Sequence, residues 1–385
     1  MQFIQHCTIF DQPKIESMKK LTLLSILLFW IIGISAQNFF NEDFDQNKQY
    51  ILLCDPTVHR IETVEYLTKH HIFKVNAKKV EFVGVYFEDQ NYDFSQTKAY
   101  IEENNLATYH LQEIKGELDE SNLFEENDIS AQLRKVFEHS KGVIFFGGPD
   151  IPPGVYGEEN TKSFVSDPQR HYYEASFMFH LLGGFQDEDF HPFLEERPDY
   201  VVTGFCLGMQ TMNVATGGTL VQDIPQEVYG AENAKETVKL DPNNLHRNYW
   251  QEVVNDSLLM GINLHPIQFT SHPFFGKTMK VSKNETPRIY SSHHQAADKI
   301  GKNLEVTALS MDGKVAEGLA HSKYANVFAV QFHPEVAALY EDMGVSKFAP
   351  EDQPATYHQI LGKEGVRFNK SYWRQISKAF KSVKE

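Results

Sequence analysis

The chain has 385 residues, of which 41% are hydrophobic and 23% charged. That is enough apolar material for one large α/β domain or two smaller ones, and too much for a disordered chain. The formal net charge of -16 argues against nucleic acid as a partner, because phosphate binding is driven by Lys and Arg. The three cysteines, Cys7, Cys54 and Cys206, form neither a disulfide framework nor a cysteine-based zinc set.

From Met18 the chain reads Met-Lys-Lys, then an apolar run from Leu21 to Ile34, then Ser35-Ala36-Gln37. A basic start, a short apolar stretch and a small-residue site describe an export signal. The run falls short of the ~20 apolar residues of a spanning helix. The expectation is therefore a leader over 1–36, cleavage near Ala36, an exported mature chain with no stable membrane span, and a single domain over 37–385.

Short apolar runs then alternate with amphipathic ones. Tyr50–Cys54 is a predicted strand with Cys54 an inert buried thiol, and His59–His70 a helix with Ile61, Val64 and Leu67 near helical spacing. Val80–Phe87 is a second strand, Thr97–Asn104 a helix and Tyr109–Ile114 a third strand. A helix over Ile129–His139 and a strand over Gly142–Phe146 follow, the latter ending in Gly147-Gly148-Pro149. Such alternation predicts an α/β fold: a flavodoxin-like, largely parallel sheet with helices on both faces. Ligands in these sheets bind beyond the carboxyl ends of the strands. After Cys206 the patterning turns β-rich, with candidate strands at His265–Phe269, Arg288–Ser291, Leu304–Leu309 and Val327–Phe332, and a final helix over Ser371–Glu385.

Two segments carry chemistry. Residues 200–210 run an apolar strand into Gly204-Phe205-Cys206-Leu207-Gly208, a cysteine version of the nucleophile elbow. At the start of a helix the thiolate is favoured over the thiol, and the Leu207 N–H can help to stabilise an oxyanion. Residues 327–336 deliver His333 and, across Pro334, Glu335. A thiol needs a base, and the base needs a carboxylate to fix its tautomer. Each motif alone also suits a structural residue: a buried Cys, or a polar His at a strand end.

Gly-Phe-Cys-Leu-Gly-Met-Gln at 204–210 together with Val-Gln-Phe-His-Pro-Glu at 330–335 resembles the class I glutamine amidotransferase signature, whose triad falls here on Cys206, His333 and Glu335. Met212 to Leu220, Gln222-Asp223-Ile224, Asp167-Pro168-Gln169-Arg170 and Ser292-His293-His294-Gln295 resemble the γ-glutamyl-γ-aminobutyrate hydrolase (peptidase) branch. The resemblance implies an oxyanion hole from Gly148 and Leu207 and a substrate contact from Gln210; His293, His294 and Gln295 follow a predicted strand, a position from which they can line the same pocket. It implies a small γ-glutamyl substrate and no cofactor, and leaves room for a homodimer. Asp167 and Arg170 are either an ion pair or substrate contacts. No metal is expected at His293 and His294, since neighbours on a strand point to opposite faces. His246, His265 and His272 are read as surface or structural. Leu207 stands where that branch carries Arg, and His171 where it carries Asp. The leaving group therefore stays open between amines, γ-glutamyl peptides and folate polyglutamates, and a non-catalytic binding protein of this fold is the reading from another class.

Overall fold

The computed structural model describes residues 38–41 and 44–383. The expected leader and its cleavage point lie outside the described residues. Among the described residues no helix is long and apolar enough to cross a membrane.

Five strands and five helices build the first part: β1 (Gln49–Cys54), α1 (Val58–Lys69), β2 (Val80–Phe87), α2 (Ser95–Glu103), β3 (Tyr109–Ile114), α3 (Ser130–Glu138), β4 (Gly142–Phe145), α4 (Pro168–Leu182), β5 (Val201–Phe205) and α5 (Leu207–Ala215). After them come β6 (Leu220–Val221), β7 (Asn263–Phe269), β8 (Arg288–Ser291), β9 (Ala296–Ala297), β10 (Leu304–Ser310), β11 (Ala316–His321), β12 (Val327–Val330) and the last helix, α6 (Tyr357–Ser382). Ten strands form one sheet in the order β3-β2-β1-β4-β5-β12-β11-β10-β7-β8, and β6 pairs separately with β9. The pairings from β3 through to β12 are parallel. Those from β12 out to β8 are antiparallel. The expected largely parallel sheet with a β-rich carboxyl portion is thus one continuous sheet that changes character at β12.

Period-two alternation explains why the parallel strands read as unbroken apolar runs. Tyr50, Leu52 and Cys54 of β1 join the core on the face of α3, α4 and α5. Ile51 and Leu53 join the opposite core, with Ile61, Val64 and Leu67 of α1 and Phe368, Trp373 and Ile376 of α6. Fully burying one such side chain stabilises by about 1.5–3 kcal/mol, so each strand is fixed from both sides.

Three elements differ from expectation. Helix α6 begins at Tyr357, well before Ser371, because Thr356 and Gln359 form a reciprocal capping box; its backbone is broken once, at Gly362 (φ 63°, ψ 178°). Helix α4 is additional to the expected elements, although Asp167 caps it and Pro168 opens it. Strand β11, Ala-Glu-Gly-Leu-Ala-His, is buried along its whole length and so shows no alternation.

Register places the candidate site. Val202 of β5 lies opposite Val143 of β4 and Val327 of β12. Counting toward the carboxyl ends, Phe145 faces Gly204 and Phe205 faces Val330. The next residues out are Gly147, Cys206 and the segment leading to His333, delivered by three adjacent strands.

Candidate active site

Cys206 links β5 to α5 with φ 51° and ψ -105°, a conformation that costs a side-chain-bearing residue about 1–3 kcal/mol. The flanking glycines act through close approach. A Cβ on Gly204 would lie 2.7 Å from the carbonyl carbon of Gly208, and one on Gly208 would lie 2.5 Å from the Phe145 carbonyl oxygen. Only glycines let α5 start this close to the sheet. The Cys206 N–H donates to the Val330 carbonyl at 2.9 Å, tying the elbow to β12. Leu207 opens the helix, so its N–H has no intrahelical acceptor. Cys206 is 7% exposed: shielded, yet open at one point.

His333 follows β12 and donates from Nδ1 to Glu335 Oε1 at 2.7 Å, while Nε2 meets the Ser292 hydroxyl at 3.2 Å. Pro334 between them is held by its carbonyl, which accepts from Trp373 Nε1 at 2.8 Å and from the Tyr340 hydroxyl. The last helix therefore sets the His-Pro-Glu turn. Burial works against a charged imidazole here, but the Glu335 carboxylate and the Cys206 sulfur outweigh it and raise His333 to about 10. That direction favours the imidazolium, the kind of neighbour beside which a cysteine becomes nucleophilic.

The loop after β4 is oriented by two arginines whose role here carries no local sequence signal. Arg60 and Arg170 both donate to the Gly147 carbonyl, Arg170 at 3.1 Å. In a trans peptide the N–H of the next residue points the opposite way. Holding the Gly147 carbonyl therefore turns the Gly148 N–H away from the arginines. Arg170 is itself gripped by Asp55 and Glu174, each at 2.9 Å. Asp167 forms no ion pair with Arg170: it caps α4 by accepting the Arg170 backbone N–H. A Cβ on Gly148 would lie 2.3 Å from Arg170 Nη1. Gly148→Ala is expected to cost about 10- to 1,000-fold in kcat with a smaller change in KM, measured by steady-state kinetics; an unchanged kcat would exclude this loop from the chemistry.

The four expected substrate residues separate. Gln295 donates to the Ser163 hydroxyl at 2.7 Å, and Gln222 accepts from Thr161 and Ser163, so both hold the 161–164 loop. His294 bridges Asp150 at 2.9 Å and Asp223 at 3.2 Å. Burial opposes its charge, but the two carboxylates raise it to about 9. Gln210 is buried and donates to the Gln295 carbonyl at 3.2 Å, bracing the 292–295 turn. His293 is enclosed, its Nδ1 on the Gln295 carbonyl at 2.7 Å and its Nε2 3.8 Å from Glu317 Oε1. The two adjacent histidines do diverge as expected, but His293 faces the interior and not the loop beside the thiol. His246 and His265 are also fully enclosed, contrary to a surface role. Burial pushes His246 down to about 3 and His265 to about 4, and Glu317 up to about 7. Cys54 is a free buried thiol against the Tyr173 hydroxyl at 3.8 Å. A separate cleft of about 1020 Å³, lined by Lys48, Ser140 and Arg197 among others, lies at the amino ends of β1 and β4, the end of the sheet away from Cys206.

A protein named as glutamine amidotransferase-like in Rickettsia prowazekii (strain Madrid E) is 25% identical over 226 residues, 54% of this chain and 74% of that protein. Protein NtpR of Enterococcus hirae is 28% identical over 50% of this chain and 66% of its own length. A protein named as a glutamine amidotransferase in Mycobacterium tuberculosis is 28% identical over 52% of each chain. The aligned stretch thus spans only half to three quarters of these relatives. A solved structure described as a GMP synthase subunit from Thermoplasma acidophilum superposes with a TM-score of 0.35 at 11% identity, over 77% of this chain and 94% of that one. The peptidase C26 family model matches residues 83–335, which include the strand-borne thiol, the loop after β4 and the His-Pro-Glu turn. The chain belongs to the peptidase C26 family of hydrolases, within the class I glutamine amidotransferase-like superfamily.

Proposed function

We propose that the chain is a cysteine hydrolase that cleaves γ-glutamyl amide or peptide bonds through a γ-glutamyl thioester. The observation that carries this reading is the 2.7 Å contact between His333 Nδ1 and Glu335 Oε1, set on the strand next to the strained Cys206 elbow. Cys206 attacks the γ-carbonyl carbon, forming the C–S bond. The carbonyl oxygen becomes an oxyanion held by the N–H groups of Leu207 and Gly148. Collapse breaks the C–N bond, and the proton on His333 Nε2 goes to the leaving amine. Water then loses a proton to His333 and attacks the thioester, releasing glutamate and the free thiol. Glu335 keeps the proton on Nδ1 throughout. The relatives' names support acyl chemistry on a glutamine-like group and leave the leaving group open.

The test is release of glutamate, read by mass spectrometry, from γ-glutamyl amines, γ-glutamyl dipeptides, a folate polyglutamate and free glutamine, with Cys206→Ala alongside. Cys206-dependent release from one class supports the reading and names the leaving group. No release by a chain whose thiol is titratable would overturn it. We also propose that residues 18–36 direct export; amino-terminal sequencing should then find the mature chain starting near Gln37 outside the cytoplasm, and recovery of an uncut chain inside would refute this.

Glu335→Gln checks the orienting role. The uncharged amide keeps the shape but no longer favours the imidazolium or its tautomer, so kcat should fall by about 10⁴-fold. The sign of the pH effect follows from His333. Its pKa is raised from 6.5 to about 10, so the stability it supplies is complete below about 6.5 and is lost as pH rises through about 10. In Glu335→Gln the folded value drops toward 6.5, so that loss should be smaller and complete at a lower pH, seen as an alkaline decline in melting temperature that levels off earlier.

A further inference from the structure

We propose that His246, His265, His293 and Glu317 form a transition-metal site, with Zn²⁺ as its first candidate. The four residues come from the loop ahead of β7, from β7 itself, from the turn after β8 and from β11. Each offers one donor atom, and the four donor atoms all lie within 4.8 Å of one another. All four residues are enclosed.

Three observations point to a cation at their centre. The spacing fits: His246 Nδ1, His265 Nε2 and His293 Nε2 lie 2.9, 3.6 and 3.8 Å from Glu317 Oε1. Tetrahedral zinc with bonds of about 2.0–2.2 Å separates its ligand atoms by roughly 3.3 Å, and the three distances bracket that value. The direction fits as well. Despite the short separations, both nitrogens of His246, Nε2 of His265 and of His293, and both Glu317 oxygens are buried without a hydrogen-bond partner. Six such buried atoms are costly, and four of them, one from each residue, converge without a hydrogen bond among them, which is what a cation requires.

The far sides of the rings fit too. His265 Nδ1 lies 3.0 Å from the Pro266 carbonyl and His293 Nδ1 2.7 Å from the Gln295 carbonyl. A carbonyl can only accept, so each Nδ1 carries the proton and each Nε2 presents its lone pair to the cluster. Such a bond on the outer nitrogen is the usual support of a metal-bound imidazole. Three imidazoles and one carboxylate suit zinc, and also copper, nickel or iron, far better than magnesium or calcium.

The location gives the site a task. Residues 222–262 contain only short helical turns, and His246 lies in this segment. A metal would fasten it to β7 and β11 and fix His293, whose turn also holds Ser292 against His333. The metal is then a structural support lying beneath the reacting atoms.

The experiment uses the full chain with Cys206→Ala, so that the nucleophile cannot bind metal, and without a polyhistidine tag. The protein is stripped with chelator, dialysed in separate samples against Zn²⁺, Co²⁺, Ni²⁺ or Cu²⁺ and measured by inductively coupled plasma mass spectrometry, with melting followed before and after. The expected result is roughly one zinc per chain and a higher melting temperature with zinc. His265→Gln and Glu317→Gln should each weaken zinc binding by at least ~10-fold and remove the zinc-dependent rise in melting. Uptake of no zinc, cobalt, nickel or copper by the parent chain, with melting unchanged, would overturn the proposal without any variant having to fold. Equal uptake by parent and both variants would overturn it too, by placing the metal elsewhere.

Discussion

Cys206→Ala is expected to lower kcat on the best γ-glutamyl substrate by about 10⁴- to 10⁶-fold while KM changes little. The thiol forms the bond that defines the intermediate, so no neighbouring group can substitute for it. His333→Ala should cost a similar amount, because the same imidazole takes the thiol proton and supplies one to the leaving amine. The double variant carries the sharper result. Groups that act as one unit are not additive, so Cys206→Ala/His333→Ala should be about as slow as either alone. Additive losses would mean that His333 acts on the substrate independently of Cys206. Intact-protein mass spectrometry after rapid acid quench provides a second readout: the parent should carry a γ-glutamyl adduct during turnover, and Cys206→Ala none.

The residues that fix this result are legible in the sequence for a definable reason. A strand ending in a glycine-flanked cysteine and a strand ending in His-Pro-Glu are each contiguous, and parallel strands deliver their carboxyl ends to one edge. The residues that are not legible act across the fold. Arg60 lies on α1 and Arg170 on α4, yet both hold the carbonyl of Gly147; nothing in their local sequence points to that peptide. His246, His265, His293 and Glu317 span more than seventy positions and meet only because β7 and β11 both flank β10. The divergence of His293 and His294 correctly removes them as a chelating pair, but says nothing about partners from other strands. Strand β11 escapes notice because burial on both faces erases the alternation by which strands are recognised. Helix α6 does carry a readable signal, Thr356-x-x-Gln359, and its break at Gly362 obscures how far back the helix reaches.

Arg170→Met should produce the largest loss of stability, about 3–5 kcal/mol at pH 8, seen as a lower melting temperature. The guanidinium is 5% exposed and lies 2.9 Å from both Asp55 and Glu174. Met fills much of the same volume but leaves the carboxylates facing each other inside the protein. Asp55 keeps Arg60 at 3.5 Å. Glu174 loses the cation that its Oε1 contacts, and its Oε2 already lacks a hydrogen-bond partner. Burial raises Glu174 to about 7 even with Arg170 attracting its charged form. A raised carboxyl pKa adds stability that is complete below its unfolded value of 4.5 and is lost as pH rises through the folded value. Without Arg170 that folded value climbs further, so the deficit should be smaller at pH 5 than at pH 8. Adding Glu174→Leu removes the stranded carboxyl and should restore much of the melting temperature. It cannot restore the grip on the Gly147 carbonyl, so kcat should stay low in the double variant. Recovery of stability without recovery of rate would separate the two tasks of this arginine; recovery of both would mean that Arg60 alone suffices to aim the Gly148 N–H.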